Sequence, residues 1–408
     1  MSTPQADFQA LAATWGTPYY LYDLDAAIAQ ARALREALPP SVWLYYAVKA
    51  NPNRRVVEAL GAVVDGLDIS SAGELRLGLA AGVAPERLSF AGPGKTDDEL
   101  TAAITAGVGI LSLESPRELV RAARIAEALH RRVAVTLRLN PLETAREFPM
   151  RMGGGPSPFG IAEEEVDEVI AAARRSPALE LRGLHVFAGT NCLDAPALVA
   201  NVGQTLEIAR RLAERHALAW RLLNLGGGFG IPYFAGQSPL DGPAVMRAVG
   251  ETVERARRES PHFEATRFIL ELGRFLIGPF GTYVARVVDV KETRGKRFAI
   301  LDGGMNHCFP ATGSFGQVIK KNYPLRNLSR DGAPRVQEIV GPLCTPIDSL
   351  ARSIELPQAE VGDLIAFLQC GAYALTASPL EFLSHDTPAE LTHRDGAITL
   401  ARARATTT

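Results

Sequence analysis

A (β/α)8 barrel followed by an all-β domain is the α/β architecture that this 408-residue sequence predicts. Three observations predict it. Helix-forming and strand-forming segments alternate from about residue 25 to 270, eight strand-like runs fall in that stretch, and the texture turns β-rich after residue 271. Eight strands in roughly 250 residues is the arithmetic of a parallel barrel. An open doubly wound sheet, the competing reading, more often stops at about five to seven strands.

Residues 24–38, LDAAIAQARALREAL, have helix-forming composition and stop at Pro39-Pro40, where proline cannot continue the hydrogen-bond ladder. VWLYYAV (42–48) is short, β-branched and aromatic, as a buried strand requires. Further strands are expected near 63–69, 88–91, 109–113, 133–139, 181–187, 221–225 and 267–271, mostly separated by Ala-, Leu-, Arg- and Glu-rich helices. Beyond them, TYVARVVDVKET, KRFAILDGG, RVQEIVG and GDLIAFLQ are β-rich and broken by Gly, Pro and Asn turns. The expected division is therefore a barrel over 25–270 and a β domain built from 1–24 plus 271–408. TPYYLYD (17–23) joins the latter as a strand, and ARARATTT ends the chain as a frayed tail.

Composition narrows the function. With 47% hydrophobic and 22% charged residues and a net charge of −2, the chain reads as a soluble globular protein. Nothing in that balance suits a strong electrostatic grip on nucleic acid or anionic lipid. No run approaches the ~18 apolar residues of a membrane span, and the first residues lack a secretory pattern. Cys192, Cys308, Cys344 and Cys370 form no CxxC pair, which favours reduced thiols in a cytoplasm. The seven histidines show no metal-ligand spacing, so no metal is expected.

Catalytic groups of a parallel barrel sit at the C-terminal strand ends, where the loops share one mouth. Those ends carry Lys49, Asp68, Glu114, Arg138, Phe187, Gly226-Gly227-Gly228 and Glu271. Any one alone is more often a solvated loop residue, but together they suggest an amine, a phosphate cradle and an acid. Lys49 leaves an apolar run directly; partial desolvation would make it an amine nucleophile, whereas a snorkelling surface lysine is the plainer alternative. Three successive glycines let backbone N–H groups approach a phosphate, although a plain glycine turn is common. GPGKT (92–96) ends like a nucleotide-binding loop, but Ser89 stands where the first glycine belongs.

YYAVKANPN, HVFAGTN, LNLGGGFG, ELGR, GPLC and GAYALTASP stand in the order found in the fold-type III pyridoxal-phosphate (PLP) decarboxylases, and the chain resembles that ornithine/diaminopimelate decarboxylase superfamily from about 17 to 385. The resemblance implies an alanine-racemase-like PLP barrel plus a C-terminal β domain, and pyridoxal 5'-phosphate as cofactor. It implies a Schiff base on Lys49, a carboxylate at Glu271 pairing the pyridine nitrogen, and a phosphate set of Gly226, Gly227, Gly228, Arg274 and Tyr373. Asp68 and Arg138 support the cofactor side, and Cys344 crosses a dimer interface to protonate Cα. Thr345 and Asp348 follow the cysteine on the substrate side.

Three departures set the chain apart within that family. Phe187 replaces the histidine that stacks on the cofactor, with Thr190 keeping a hydroxyl and His185 reading as structural. Thr345 replaces the acid that receives a distal amine. GGMNHCFPA lacks the arginine that diaminopimelate enzymes use for the distal carboxylate. The surrounding motifs are more similar to the branch of exosortase-associated, glutamyl-carrier-protein and siderophore-intermediate decarboxylases. The expected substrate is then an L-amino acid or conjugate, with an acyl-carrier protein as a partner the branch offers, and the assembly a cytoplasmic homodimer with shared sites. The alternatives are diaminopimelate decarboxylation, racemisation, which Glu271 and Cys344 disfavour, and a non-catalytic PLP-binding regulator.

Overall fold

In the computed structural model, which describes residues 6–142, 148, 150–315 and 320–406, all eight apolar runs become parallel strands. Around the ring, Ile110–Leu113 neighbours Leu88–Phe90, then Gly66–Ile69, Val42–Ala47, Arg267–Leu272, Leu222–Gly227, Leu179–Val186 and Val133–Asn140. The pairing of Leu111, Ser112 and Leu113 with Val135, Thr136 and Leu137 closes it. Near-continuous burial along these strands follows from having side chains inside the barrel and helices outside. Residues 24–38 fold as the helix Leu24–Ala37.

Helix caps fix how abruptly each strand end gives way to its helix. Ser71, Thr96 and Ser115 each accept the backbone N–H three residues on, and Thr96 with Glu99 forms a reciprocal capping box. Ser115 follows Glu114 directly, so that carboxylate is held at the mouth by a helix starting one residue later.

The chain divides into two compact units: Ala29–Gly230 with Pro239–Gly273, and Met1–Ile28 with Ile231–Ser238 and Arg274–Thr408. The second is built on a mixed nine-stranded sheet. In it Tyr19–Asp23 runs antiparallel to Gly281–Thr293 and parallel to Ala389–Arg394. A helix not anticipated from sequence, Phe8–Trp15, buries Ala12 and lays Phe8, Leu11 and Trp15 on the cluster of Tyr19, Leu21, Val284 and Leu391. The expected fraying of ARARATTT does not hold at its start. Arg402 ends the strand Ala397–Arg402 and meets the buried Glu390 at 2.5 Å, and Arg404 donates to the Pro18 carbonyl at 2.9 Å. The last two residues lie outside the described ones. No helix among the described residues is long and apolar enough to cross a membrane.

Candidate active site

Lys49 sits in the single helical turn Val48–Ala50 that ends the strand Val42–Ala47. Its ammonium lies 3.1 Å from Asp68 Oδ2 and 5.8 Å from the centre of the Phe187 ring. The lysine side chain is 41% exposed and that of Asp68 fully buried, so the amine opens to the mouth instead of sinking into the strand. Register explains the contact, because Ala47 pairs with Asp68 on the adjacent strand. The second Asp68 oxygen, Oδ1, is buried with no hydrogen-bond partner among the described residues.

Glu271 lies across the same interior, paired in register with Tyr45 and with Gly227. Asn224 donates its amide N–H to Glu271 Oε1 and accepts the Gly226 N–H at 2.9 Å. His185 Nε2 approaches Oε2 at 3.5 Å, while Nδ1 lies 2.9 Å from the Ser112 hydroxyl. Burial, then the negative charge of Asp68, pushes the Glu271 carboxyl up to about 8 against the pull of Lys49, Asn224 and Arg138. Burial, reinforced by the charges of Arg138, Lys49 and Lys95, pushes His185 well below the usual imidazole range, so the ring is neutral. Asn224 and Ser112 were not legible as site residues. The available signal for Asn224 was its place two residues before Gly226.

The glycine turn is sterically compulsory. A Cβ at Gly226 would lie 2.5 Å from the Val186 carbonyl, at Gly227 1.9 Å from that of Glu271, and at Gly228 2.3 Å from that of Gly189. Gly226 and Gly228 also hold φ of 68° and 86°, which side chains disfavour. The Gly228 carbonyl accepts the Cys192 N–H, tying the turn to the segment after Thr190. Thr190 itself pairs with Met150 in a two-residue ladder.

Arg138 is not aimed at open space. It forms a buried 2.7 Å ion pair with Glu114, whose oxygens also accept the Gly92 and Gly160 N–H groups, and it lies over the Phe159 ring. The arginine therefore pins the mouth loops. The GPGKT run is likewise structural: Lys95 is buried, paired with Glu118 at 2.7 Å, and donates to the Gly92 carbonyl.

In the β-rich unit the remaining candidates fall into two groups. Arg274 donates to the Tyr233 hydroxyl at 2.6 Å and its guanidinium lies 4.7 Å from the Tyr373 ring centre. Arg274 Nε has no partner among the described residues. Cys344 is exposed on the loop Gly341–Asp348, with Thr345 half-buried beside it. Asp348, expected on the substrate side, is buried beneath that loop. Its Oδ1 accepts the Met305 N–H at 2.6 Å and its Oδ2 the Leu343 N–H at 2.8 Å. Gly304 and Gly341 pack so closely on this carboxylate that a Cβ on either would lie within 2.5 Å of it. Asp348→Ala would orphan two buried donors at about 1–3 kcal/mol each, enough to lower the melting temperature by several degrees. Thermal unfolding of Asp348→Ala beside Asp348→Asn, which keeps one acceptor, checks this: the asparagine variant is expected to fall in between.

These groups suit a pyridine ring bearing an aldehyde and a phosphate. An accessible amine stands beside an acid with one oxygen unbonded among the described residues, a buried carboxyl has no ion pair with Lys or Arg among them, and a turn without side chains admits a close approach to the backbone. A parallel barrel with this set at its mouth defines a class of cofactor-dependent lyase. The profile described as "Pyridoxal-dependent decarboxylase, pyridoxal binding domain" matches residues 24–278, and the chain belongs to that family. It is 36% identical, over 100% of its own length and 95% of the relative's, to the L-glutamyl-[BtrI acyl-carrier protein] decarboxylase of Niallia circulans. It is 33% identical to the 2-[(L-alanin-3-ylcarbamoyl)methyl]-2-hydroxybutanedioate decarboxylase of Staphylococcus aureus, over 91% of this chain and 92% of the other. Among solved structures, diaminopimelate decarboxylase of Helicobacter pylori complexed with L-lysine superposes with a TM-score of 0.87 at 28% identity, covering 98% and 97% of the two chains.

Proposed function

We propose that this chain removes the α-carboxylate of an L-amino-acid unit whose side chain is amidated, esterified or thioester-linked. The loop Gly341–Asp348 carries the reading. Its one carboxylate, Asp348, engages both oxygens with backbone N–H groups, and the residue after Cys344 is Thr345. A distal ammonium delivered to this loop would find no free carboxylate and would lose hydration uncompensated. The stretch Gly303–Thr312 holds no arginine for a distal carboxylate either. A neutral linkage needs neither partner. Two relatives named for a carrier-bound L-glutamyl group and a carbamoyl-linked L-alanin-3-yl group support the same reading.

Bound pyridoxal phosphate supplies the electron sink for charge left on Cα when CO2 departs. Lys49 Nζ would hold the cofactor at its aldehyde, with Asp68 orienting the amine. Glu271, backed by Asn224, holds the proton at the pyridine nitrogen. The side-chain-free turn Gly226–Gly228 would let a phosphate come close to the backbone, and Arg274 and Tyr373 keep the phosphate role that the family resemblance gives them. Phe187 stacks without carrying charge. Cys344 delivers the proton to Cα, in the pocket of a second copy of the chain, so the working assembly is a cytoplasmic homodimer. An acyl-carrier protein is the partner if the linkage is a thioester.

CO2 release from a panel of free and conjugated substrates tests the proposal. Turnover of an L-glutamyl thioester or a side-chain amide is expected to exceed that of free meso-diaminopimelate at least tenfold. Rapid release from the free diamine diacid with poor turnover of every conjugate would overturn it in favour of diaminopimelate decarboxylation.

A further inference from the structure

The opposite end of the barrel carries chemistry that decarboxylation does not use. Tyr45, Ile110, Leu222 and Ile269 pack there as an apolar floor, with Trp43 leaning on it. Barrel interiors are ordinarily completed at this end by branched apolar side chains, which serve stability. Here the floor instead gives onto a cavity of about 760 Å³.

Five arginines line that cavity, Arg131, Arg132, Arg182, Arg221 and Arg267, against two carboxylates, Glu86 and Glu180. Arg131 and Arg132 precede the strand Val133–Asn140, Arg182 lies in Leu179–Val186, Arg221 precedes Leu222–Gly227 and Arg267 opens Arg267–Leu272, so closure of the barrel brings four strands' arginines together. Few of their donors are used. Arg182 reaches Glu180 at 3.1 Å, yet its Nε is buried without a partner among the described residues. Arg267 donates to the Pro40 carbonyl and stacks 4.5 Å from the centre of the Trp43 ring. Arg182, Arg132 and Arg221 together hold the Glu180 carboxyl below its ordinary range, so that acid is already ionised and shared among three cations.

An excess of three positive charges in one concavity is a poor stability device, because like charges repel and exposed ion pairs contribute little. It is a good anion trap. A concave surface of one sign focuses the field, and guanidinium forks match phosphate oxygens two at a time. We propose that the N-terminal end of the barrel binds a small polyvalent phosphate compound, held by Arg132, Arg182 and Arg221 above the Trp43–Arg267 stack.

The test is calorimetric titration of PLP-loaded protein at fixed ionic strength, so that the cofactor fills its own phosphate cradle. Tripolyphosphate and ATP serve as separate probes, distinguishing an inorganic polyphosphate from a nucleotide. Saturable one-to-one binding is expected for at least one of them. Arg132→Ala/Arg221→Ala, which changes two exposed side chains, should weaken it about tenfold or more, since it removes two guanidinium forks from the proposed phosphate contacts. Arg117→Ala/Arg255→Ala, exposed arginines outside the cavity, removes equal charge and should leave binding within about twofold. No saturable binding of either probe, or equal weakening by the two double variants, would overturn the proposal. None of these readouts depends on the decarboxylase reading.

Discussion

Lys49→Arg is expected to abolish decarboxylation, by roughly 10³-fold or more, while leaving the protein folded. The choice of arginine matters because Lys49 has two jobs. Its charge compensates Asp68, which is fully buried and has one oxygen already unpartnered. Alanine would leave that carboxylate wholly uncompensated, so lost activity could be read as lost structure. A guanidinium keeps the charge but stays protonated in any accessible range and cannot serve as a nucleophile. Borohydride reduction followed by mass spectrometry supplies an independent readout: the wild-type chain should carry the cofactor on the peptide containing Lys49, and the variant nowhere. Mixing Lys49→Arg chains with Cys344→Ala chains should restore part of the activity, since each mixed dimer of the proposed kind keeps one pocket with both groups intact. Activity of Lys49→Arg within tenfold of wild type, or cofactor fixed on another lysine, would contradict the assignment.

What made Lys49 legible was its position, directly after a run too apolar to be anything but a buried strand. The same holds for Asp68, Glu114, Arg138 and Glu271, each at or beside a strand end because period and composition locate strands well. What those side chains touch was not legible. The resemblance places Arg138 in support of the cofactor side, but not the partner that holds it there: Glu114, 24 residues away, because that contact depends on barrel register. Asp348 follows the cysteine closely enough to suggest a substrate contact, yet the fold turns it inward onto the N–H groups of Met305 and Leu343. Ile231–Ser238, in the middle of the barrel sequence, belongs to the β-rich unit, which no compositional boundary announces. Local pattern reports which residues are inside; the partners of polar groups are set by residues hundreds of positions distant, as with Tyr22 and Glu390.

Glu271→Gln is expected to lower turnover roughly 10²–10³-fold and to change how stability depends on pH. The variant preserves shape and the contact with Asn224 while removing the negative charge proposed to keep the pyridine nitrogen protonated, so on that proposal the electron sink weakens without loss of the pocket. The pH argument concerns protein stripped of cofactor. There the carboxyl is raised from an ordinary value of 4.5 to about 8, by burial first and by Asp68 second. The folded state therefore binds a proton that the unfolded state has released between those values. The resulting stabilisation is full below about 4.5 and disappears as pH rises through about 8. The melting temperature of cofactor-free wild type, measured relative to Glu271→Gln, which has no proton to release, should thus fall from pH 5 to pH 8.5. Glu74, which burial raises to about 7, adds a loss of the same sign, whereas His185 and His307, held by burial below the ordinary imidazole range, gain stability as the unfolded chain gives up its imidazole protons; the difference between wild type and Glu271→Gln isolates the Glu271 share. Loading the cofactor should flatten the wild-type slope as well, because a protonated pyridine nitrogen gives the ionised carboxylate its partner. A Glu271→Gln enzyme with turnover within about threefold of wild type would show that this carboxylate faces no ring nitrogen, and an unaltered cofactor-free slope would show that Glu271 is not the carboxyl that burial raises.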